Sequence, residues 1–452
     1  MEQKNYYFYK SNIICYNIVM ETTDKIFFLS HSGRGRKVFV GMSGGVDSAV
    51  SALLLKEQGY DVTGVYMKNW SRDLPGMKCP WAEDLADAKR VAVKLGIDFE
   101  VWDFEKEYHD KVVNYMLDEF RKGNTPNPDV MCNQEIKFKL FYEKAMERGA
   151  NYIATGHYAR VVWTALSSCS GPRPSGPSPW ADGAISRAAA LRNTPEQDSN
   201  AVHANLARAV DENKDQTYFL YRISEEALAH TLFPIGDMLK PEVKKYAEKK
   251  GLHNAYKKES MGVCFVGEVG MKDFLKEYID IKPGEIREVE TERVLGYHEG
   301  AIFYTIGQRH GLYLDGVKGE VNDGLPYYVV AKDIPNNIVY VSKNLNDEHI
   351  WTDELELKDV VIRGSAECRF GAFRSAAARE LAREPSGDGS ERRGPEWRSV
   401  DLKVRLRHRA PLIPAKFDGT KLYFDNKIKR PASGQSAVLY DGEICLGGGI
   451  IA

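Results

Sequence analysis

Lys37-Val-Phe-Val-Gly-Met-Ser-Gly-Gly-Val-Asp-Ser48 decides the fold: a short apolar strand runs straight into a glycine turn, and the turn opens onto a helix carrying Val50, Leu53 and Leu54. A strand around residues 62–66 follows. A helix from Trp81 to Leu95 comes next, because Leu85, Ala88, Val91, Ala92 and Leu95 recur at three- and four-residue spacing and Gly96 stops it. A third strand near residues 99–102, a helix with Val113, Met116 and Phe120, and a fourth strand at residues 152–154 complete the series. Strands alternating with helices predict an α/β fold with a doubly wound parallel sheet and ligands at the carboxyl ends of its strands.

Farther along, residues 225–251 read as helices, with Pro241 at a helix start. After Leu312 the character changes to short alternating runs, such as Tyr327-Tyr-Val-Val-Ala331, Ile338-Val-Tyr-Val341 and Lys421-Leu-Tyr-Phe424, which predict a β-rich second half. Two segments break the pattern: residues 167–200, rich in Ser, Pro and Ala, and residues 366–398, rich in Arg, Glu, Gly and Ser. Both read as surface insertions without a core of their own. The second is basic enough to touch RNA, although without interleaved aromatics a solvated loop is the stronger reading. Residues 1–36 read as a poorly ordered extension, and their Glu2, Glu21 and Asp24, with no Arg before Arg34, argue against an organelle transit peptide.

A length of 452 residues favours two or three domains, and 43% hydrophobic with 28% charged residues excludes both a small stapled scaffold and global disorder. Lys and Arg number 62 against 64 Asp and Glu, a net charge of −2, so a polyanion site has to be a local basic patch. The 7 cysteines are an odd set with no CxxC pair, which speaks against a disulfide framework and a zinc site. No apolar run is long enough to span a bilayer, so the expectation is a soluble, cytoplasmic protein with no membrane partner.

The chemistry-bearing residues cluster in a few stretches. In Ser43-Gly-Gly-Val-Asp-Ser48, successive N–H groups at Gly44 and Gly45, the hydroxyls of Ser43 and Ser48 and the helix N-terminus suit a pyrophosphate group. No Lys stands at the Walker position and the spacing is not GxGxxG, so a P-loop NTPase and a dinucleotide site both fit poorly. An ordinary Gly-rich turn is the bland alternative. Cys132 follows Asn127-Pro-Asp129 in a polar loop leading to a helix with Lys137 and Lys139, a setting expected to expose a thiolate; Cys264 lies among small residues in Ser260-Met-Gly-Val-Cys-Phe-Val-Gly267. Two buried structural cysteines are the competing reading. Asp129, three residues before Cys132, is placed either as a general acid or base or as a turn residue after Pro128. His157 falls at the ligand end of the fourth strand, as a site residue or a satisfied structural histidine, and Met67 reads as core. Arg405, Arg407 and Arg409 alternate, which would align guanidinium groups on one strand face along a phosphate backbone or form a charged edge strand.

The Ser43–Ser48 hexapeptide resembles the pyrophosphate loop of the ATP-pyrophosphatase superfamily, whose members adenylate a substrate oxygen. Gly41-Met-Ser-Gly-Gly-Val-Asp-Ser48, Met67-Lys-Asn-Trp70, Thr125-Pro-Asn-Pro-Asp-Val-Met-Cys132, Ala154-Thr-Gly-His-Tyr158, Asn213-Lys-Asp-Gln216, Gly262-Val-Cys-Phe265 and residues 431–449 are together similar to the tRNA-specific 2-thiouridylase family. The resemblance runs from about Lys37 to the C-terminus. It implies a nucleotide-binding catalytic domain over residues 37–250, a small central α+β domain over 251–350 and a C-terminal tRNA-binding β-barrel over 351–452. It implies ATP with Mg²⁺, adenylation of the C2 oxygen of the wobble uridine (position 34), and sulfur delivered from a persulfide loaded by a sulfurtransferase or sulfur-relay protein. By resemblance Cys264 carries the persulfide, Cys132 is its nucleophile partner in a transient disulfide, and Asp129 assists. Gly41, Met42, Ser43, Gly44, Gly45, Val46, Asp47, Ser48, Met67 and Gly156 would contact ATP. Asn127, Pro128, Asp129, His157, Lys214, Asp215, Gln216, Arg407, His408 and Gln435 would contact tRNA. The extension and the two insertions depart from the family pattern and replace what would be short hairpin connections. The alternative is a small-molecule adenylating ligase or amidotransferase with the same loop, which would need neither the thiol pair nor a basic β domain.

Overall fold

A computed structural model describes residues 33–73, 81–165, 202–258, 271–314, 325–344, 350–363 and 400–452. Cys264, Cys79 and both insertions lie outside the described residues. In the first part of the chain the strands are β1 (Lys37–Gly41), β2 (Asp61–Lys68), β3 (Asp98–Asp103), β4 (Tyr152–Thr155), β5 (Ala159–Ala165), β6 (Val202–Arg208) and β7 (Thr231–Leu232). The helices are α1 (Val46–Glu57), α2 (Trp81–Leu95), α3 (Glu105–Tyr108), α4 (Asn114–Arg121), α5 (Pro128–Met131), α6 (Phe141–Glu147), α7 (Thr217–Leu220), α8 (Glu225–Ala229) and α9 (Lys240–Lys249). Lys240 and Pro241 open α9, as the proline signals.

The sheet runs β3-β2-β1-β4-β7, with every neighbouring pair parallel. The central strand β1 is an unbroken apolar run because both of its faces are covered. Val38 and Val40 enter one core with Val50, Val91 and Val243 of α1, α2 and α9, whereas Phe39 enters the other with Val112, Met116 and Phe141. Val38, Phe39 and Val40 are all at 0% exposure, and burying each contributes about 1.5–3 kcal/mol. The strand order reverses between β1 and β4, which places the crevice for a ligand at Gly41–Ser48 and Thr155–Tyr158.

After α10 (Met271–Tyr278), β8 (Gly284–Glu288), β9 (Val294–His298), β10 (Tyr328–Asp333) and β11 (Ile338–Ser342) form a small sheet in the order β10-β11-β8-β9. Strand structure thus begins well before Leu312. The alternation in β8 was illegible because Glu285, Arg287 and Glu288 leave only Ile286 buried. The last six strands, β12 (Trp351–Ile362), β13 (Val400–Arg405), β14 (Ile413–Phe417), β15 (Lys421–Lys429), β16 (Ser436–Asp441) and β17 (Ile444–Ile451), close into a barrel in the order β12-β15-β14-β13-β16-β17, with β17 returning to β12. Leu402, Val404, Phe417, Leu422, Leu439 and Leu446 are in its core.

The insertions differ in their settings. Residues 166–201 separate β5 from β6, an antiparallel pair, so the first is carried on a hairpin, and β6 adds to the barrel at β17. The second corrects the expectation: β12 neighbours β15 and β17 while β13 neighbours β14 and β16, so the connection between β12 and β13 crosses from one barrel position to another and is no hairpin.

Candidate active site

Ser43–Ser48 joins β1 to α1 at the switch point of the parallel sheet. Ser48 Oγ accepts from the Ser43 N–H at 3.2 Å and donates to the Gly45 carbonyl at 3.1 Å, which curls the chain around the helix N-terminus. Gly44 has φ +78°, and a Cβ there would stand 2.4 Å from the Asp84 carbonyl oxygen. Gly156, at the end of β4, approaches so closely that a Cβ would stand 2.6 Å from the Ser48 nitrogen. Only glycine permits either arrangement. Gly45 caps α1 without a side-chain acceptor, so the first-turn N–H groups remain for an anion. Ser43 is exposed; Gly41, Met42 and Val46 are buried, with the Met42 side chain under Gly64 and Val46 in the core, so these three reach a ligand only through their backbone. The methyl end of Met67 lies over Gly41.

Asp47 holds the loop to its neighbours. Its two carboxylate oxygens each accept from Lys240 Nζ at 2.8 Å, and Oδ1 also accepts from the Tyr158 hydroxyl at 3.0 Å. Lys240 is 6% exposed, and its backbone N–H donates to Asp211, whose carboxylate also accepts from the N–H groups of Asn213 and Lys214. Lys240 and Tyr158 were missed in the sequence; Pro241 marks a helix start but does not reveal that the residue before it faces Asp47. Among the described residues no group of three or more His, Cys, Asp or Glu could hold a metal ion, and the Asp47 carboxylate is engaged. The described residues do not form a protein cage for Mg²⁺.

The sheet's carboxyl edge continues into the segment with Asp129 and Cys132. Thr155 Oγ1 and His157 Nδ1 lie 2.8 Å apart, and the His157 ring packs on Phe138 at 5.8 Å and Phe233 at 6.4 Å. Burial holds the imidazole well below its usual pKa, and the Lys137 charge adds to this, so His157 is neutral near pH 7. Asn127 caps α5 by accepting from the Val130 N–H, and Pro128 occupies its first turn, buried. From Cys132 to Leu140 the helix continues with π-type turns, a geometry that recurs at functional sites. The expectation of an exposed Cys132 in a loop is corrected here. Its thiol is 4% exposed and part of the core around Ile136 and Phe138, because Pro128 starts the helix four residues earlier and turns the cysteine inward.

Burial pushes the Asp129 carboxyl up, partly offset by Lys137. A folded-state pKa above the unfolded value means that ionisation favours the unfolded chain. Stability is therefore greatest below the unfolded value and falls as pH rises from there through the raised folded value. Asp129→Asn is expected to raise stability at pH 7, flatten this slope and suppress tRNA thiolation. Denaturant unfolding at several pH values together with turnover checks it, and a stability loss at pH 7 would return Asp129 to a turn-stabilising role.

The remaining predicted contacts gather where α7 meets the barrel. Gln216 brackets Tyr158, accepting from its N–H at 2.8 Å through Oε1 and donating its own N–H to the Tyr158 carbonyl at 2.9 Å. Asp215 is corrected as an RNA contact. Its side chain is at 0% exposure and accepts from Arg405 at 2.7 Å and from Thr217, because a fully desolvated carboxylate needs a buried cation. The same pair corrects the arginine row: β13 ends at Arg405, which turns inward, while Arg407 and Arg409 stand exposed in the following turn. Between them the His408 ring packs on Phe219, tilted, at 4.5 Å; burial, with Arg409 adding to it, lowers its pKa to about 4. Asn133, next to Cys132, donates to the Phe219 carbonyl at 3.2 Å, which ties this turn to the cysteine helix. Gln435 donates to the Thr125 carbonyl at 2.7 Å, and the Thr125 N–H donates to Ser433, so the barrel fastens the strand of chain leading to Asp129.

A glycine loop whose N–H groups suit an anion, at the switch point of a parallel sheet, with Asp129 and Cys132 on a later helix, is the arrangement of the pyrophosphate-loop class of ATP-using enzymes. The chain matches the tRNA methyl transferase HUP domain over residues 36–268, the tRNA methyl transferase PRC-barrel domain over 272–343 and the aminomethyltransferase beta-barrel domain over 389–451. It is 40% identical to the tRNA-specific 2-thiouridylase MnmA of Staphylococcus saprophyticus, covering 93% of this chain and 96% of that one. It is 41% identical to those of Levilactobacillus brevis (92% and 95%) and Listeria monocytogenes (92% and 94%). The chain belongs to the tRNA-specific 2-thiouridylase family, a family of tRNA sulfurtransferases.

Proposed function

We propose that this protein replaces the C2 oxygen of the wobble uridine of tRNA with sulfur in the cytoplasm, using ATP. The observation that carries the reading is a chain of neighbours from the loop to the cysteine: Ser48 against Gly156, His157 against Phe138, and Phe138 in one core with Cys132 on the helical segment that begins at Cys132. The C2 oxygen attacks the α-phosphorus of ATP, and pyrophosphate leaves into the N–H groups of residues 43–48, with Met67 and Gly156 beside the nucleotide. Mg²⁺ bound to the substrate ATP would neutralise charge on the departing pyrophosphate.

The terminal sulfur of a Cys264 persulfide then bonds to C2, and AMP departs with the former C2 oxygen. The Cys132 thiolate attacks the inner sulfur of Cys264, which forms the Cys132–Cys264 disulfide and leaves the thiocarbonyl on uridine. A sulfurtransferase or sulfur-relay protein reloads Cys264 after a thiol reductant opens the disulfide. Asp129, protonated more readily than an exposed carboxyl, exchanges protons with the base edge.

Lys214, Arg407 and the His408–Phe219 pair form the RNA-facing surface, supported by the exposure of Arg407 and by His408 Nδ1, which has no partner among the described residues. Asn127, Pro128, Gln216 and Gln435 shape this surface from beneath. Arg407→Ala is expected to weaken tRNA binding and to make the slope of log K against log salt shallower by roughly 0.7–0.9, the loss of one phosphate contact. An unchanged slope and affinity would make Arg407 a solvated turn residue. The function itself is tested by mass spectrometry of tRNA nucleosides after incubation with ATP and a sulfide source. 2-Thiouridine at position 34 is expected, and its absence alongside pyrophosphate release with a small-molecule acceptor would identify an adenylating ligase instead.

A further inference from the structure

We infer that Asn254 is a positioning residue for the pyrophosphate loop, fixing the direction in which one of its backbone donors points; the inference rests on the adenylation reading above. Asn254 lies on the turn after α9, 2% exposed, and its Nδ2 donates to the Gly44 carbonyl at 2.9 Å. Its Oδ1 is buried with no partner among the described residues, so the side chain is held by that one bond. In a trans peptide the C=O and the next N–H point in opposite directions. Asn254 therefore fixes the Gly44–Gly45 peptide with the Gly45 N–H turned away from itself, on the side opposite the carbonyl.

The restraint is needed because Gly44 is the most permissive point of the loop. At φ +78° with no side chain, its flanking peptides are able to rotate at little cost. The Asp84 backbone closes on Gly44, and Lys257, three residues after Asn254, pairs with Asp84 at 2.7 Å and Asp87 at 2.5 Å. Asn254 and Lys257 thus clamp loop and α2 from the same turn. A donor whose direction is set before pyrophosphate forms stabilises the developing charge without reorganisation.

The test is tRNA-dependent pyrophosphate release by wild type, Asn254→Leu and Asn254→Asp. Leucine keeps the branched outline and removes the donor, so kcat/KM for ATP should fall by roughly tenfold to a hundredfold, with tRNA affinity close to wild type. Aspartate distinguishes positioning from packing. Ionised, it confronts the Gly44 carbonyl with a second acceptor; protonated, it donates as asparagine does. The ratio of Asn254→Asp to wild-type activity should therefore rise as pH falls. Asp84, Asp87, His253 and Lys257 flank both proteins alike and Asp47 and Lys240 hold the far side of the loop in both, so their titration cancels in the ratio. A loss under about fivefold in Asn254→Leu, or a ratio independent of pH, overturns the inference. If wild type itself releases no pyrophosphate with tRNA, the adenylation reading falls and takes this one with it.

Discussion

Replacing Cys132 by serine is expected to abolish multiple-turnover tRNA thiolation while leaving tRNA-dependent pyrophosphate release largely intact. The nucleotide loop and the thiol stand on different elements, the β1–α1 turn and the end of α5, so the first chemical step does not use the sulfur atom. Cys132→Ser should still accept radioactive sulfur from a sulfurtransferase, because Cys264 is intact, whereas Cys264→Ser should accept none. Serine is close in volume at a position 4% exposed, so the loss is chemical rather than a collapse of packing. Non-reducing peptide mapping of the wild type after turnover should find the Cys132–Cys264 disulfide, for which the two Cα atoms must approach within about 7 Å. Label on Cys132, or wild-type thiolation over many cycles by either variant, would overturn the assignment of roles.

Asp47→Ala is expected to cost both stability and adenylation. It leaves the Lys240 ammonium, on a side chain 8% exposed, without the carboxylate that it pairs with at 2.8 Å. Breaking such a pair costs about 3 kcal/mol, the low end for buried pairs because the Asp47 side chain is itself 28% exposed. The double variant Asp47→Ala, Lys240→Met removes both charges and should recover most of that stability without recovering pyrophosphate release, since α1 and α9 no longer hold the loop between them. Calorimetry and a pyrophosphate assay on the three proteins decide this. Full activity in the double variant would show that Asp47 has no part in placing the loop.

The parts of the site that were legible in the sequence are those whose chemistry is local. Ser43–Ser48 announces itself because a glycine turn between an apolar strand and a helix has few other uses, and its position at the switch point follows from the strand order. Asn127-Pro-Asp129 reads instead as a polar loop ahead of a helix, whereas the helix already starts there as α5. What stayed hidden were partners contributed from afar: Lys240 lies 193 residues from Asp47, and Arg405 lies 190 from Asp215. Buried ion pairs leave no periodic trace, and a lone Lys or Arg reads as surface. For the same reason Arg405 appeared to belong with Arg407 and Arg409, although a buried carboxylate claims it.

The alternation of apolar strand and amphipathic helix was enough, by itself, to determine a doubly wound parallel sheet with its ligand crevice beside residues 43–48, because a strand covered on both faces must be apolar throughout and its connections must be helices. Tertiary structure alone decided that Cys132 is buried within a helix, that β6 joins the barrel through β17, and that Gln435 and Asn133 tie barrel and α7 to the chain around Asp129. Those outcomes depend on which surfaces meet. The sequence records how each element buries its own face, whereas contacts between distant elements are selected by the shape and charge that remain once those faces are covered.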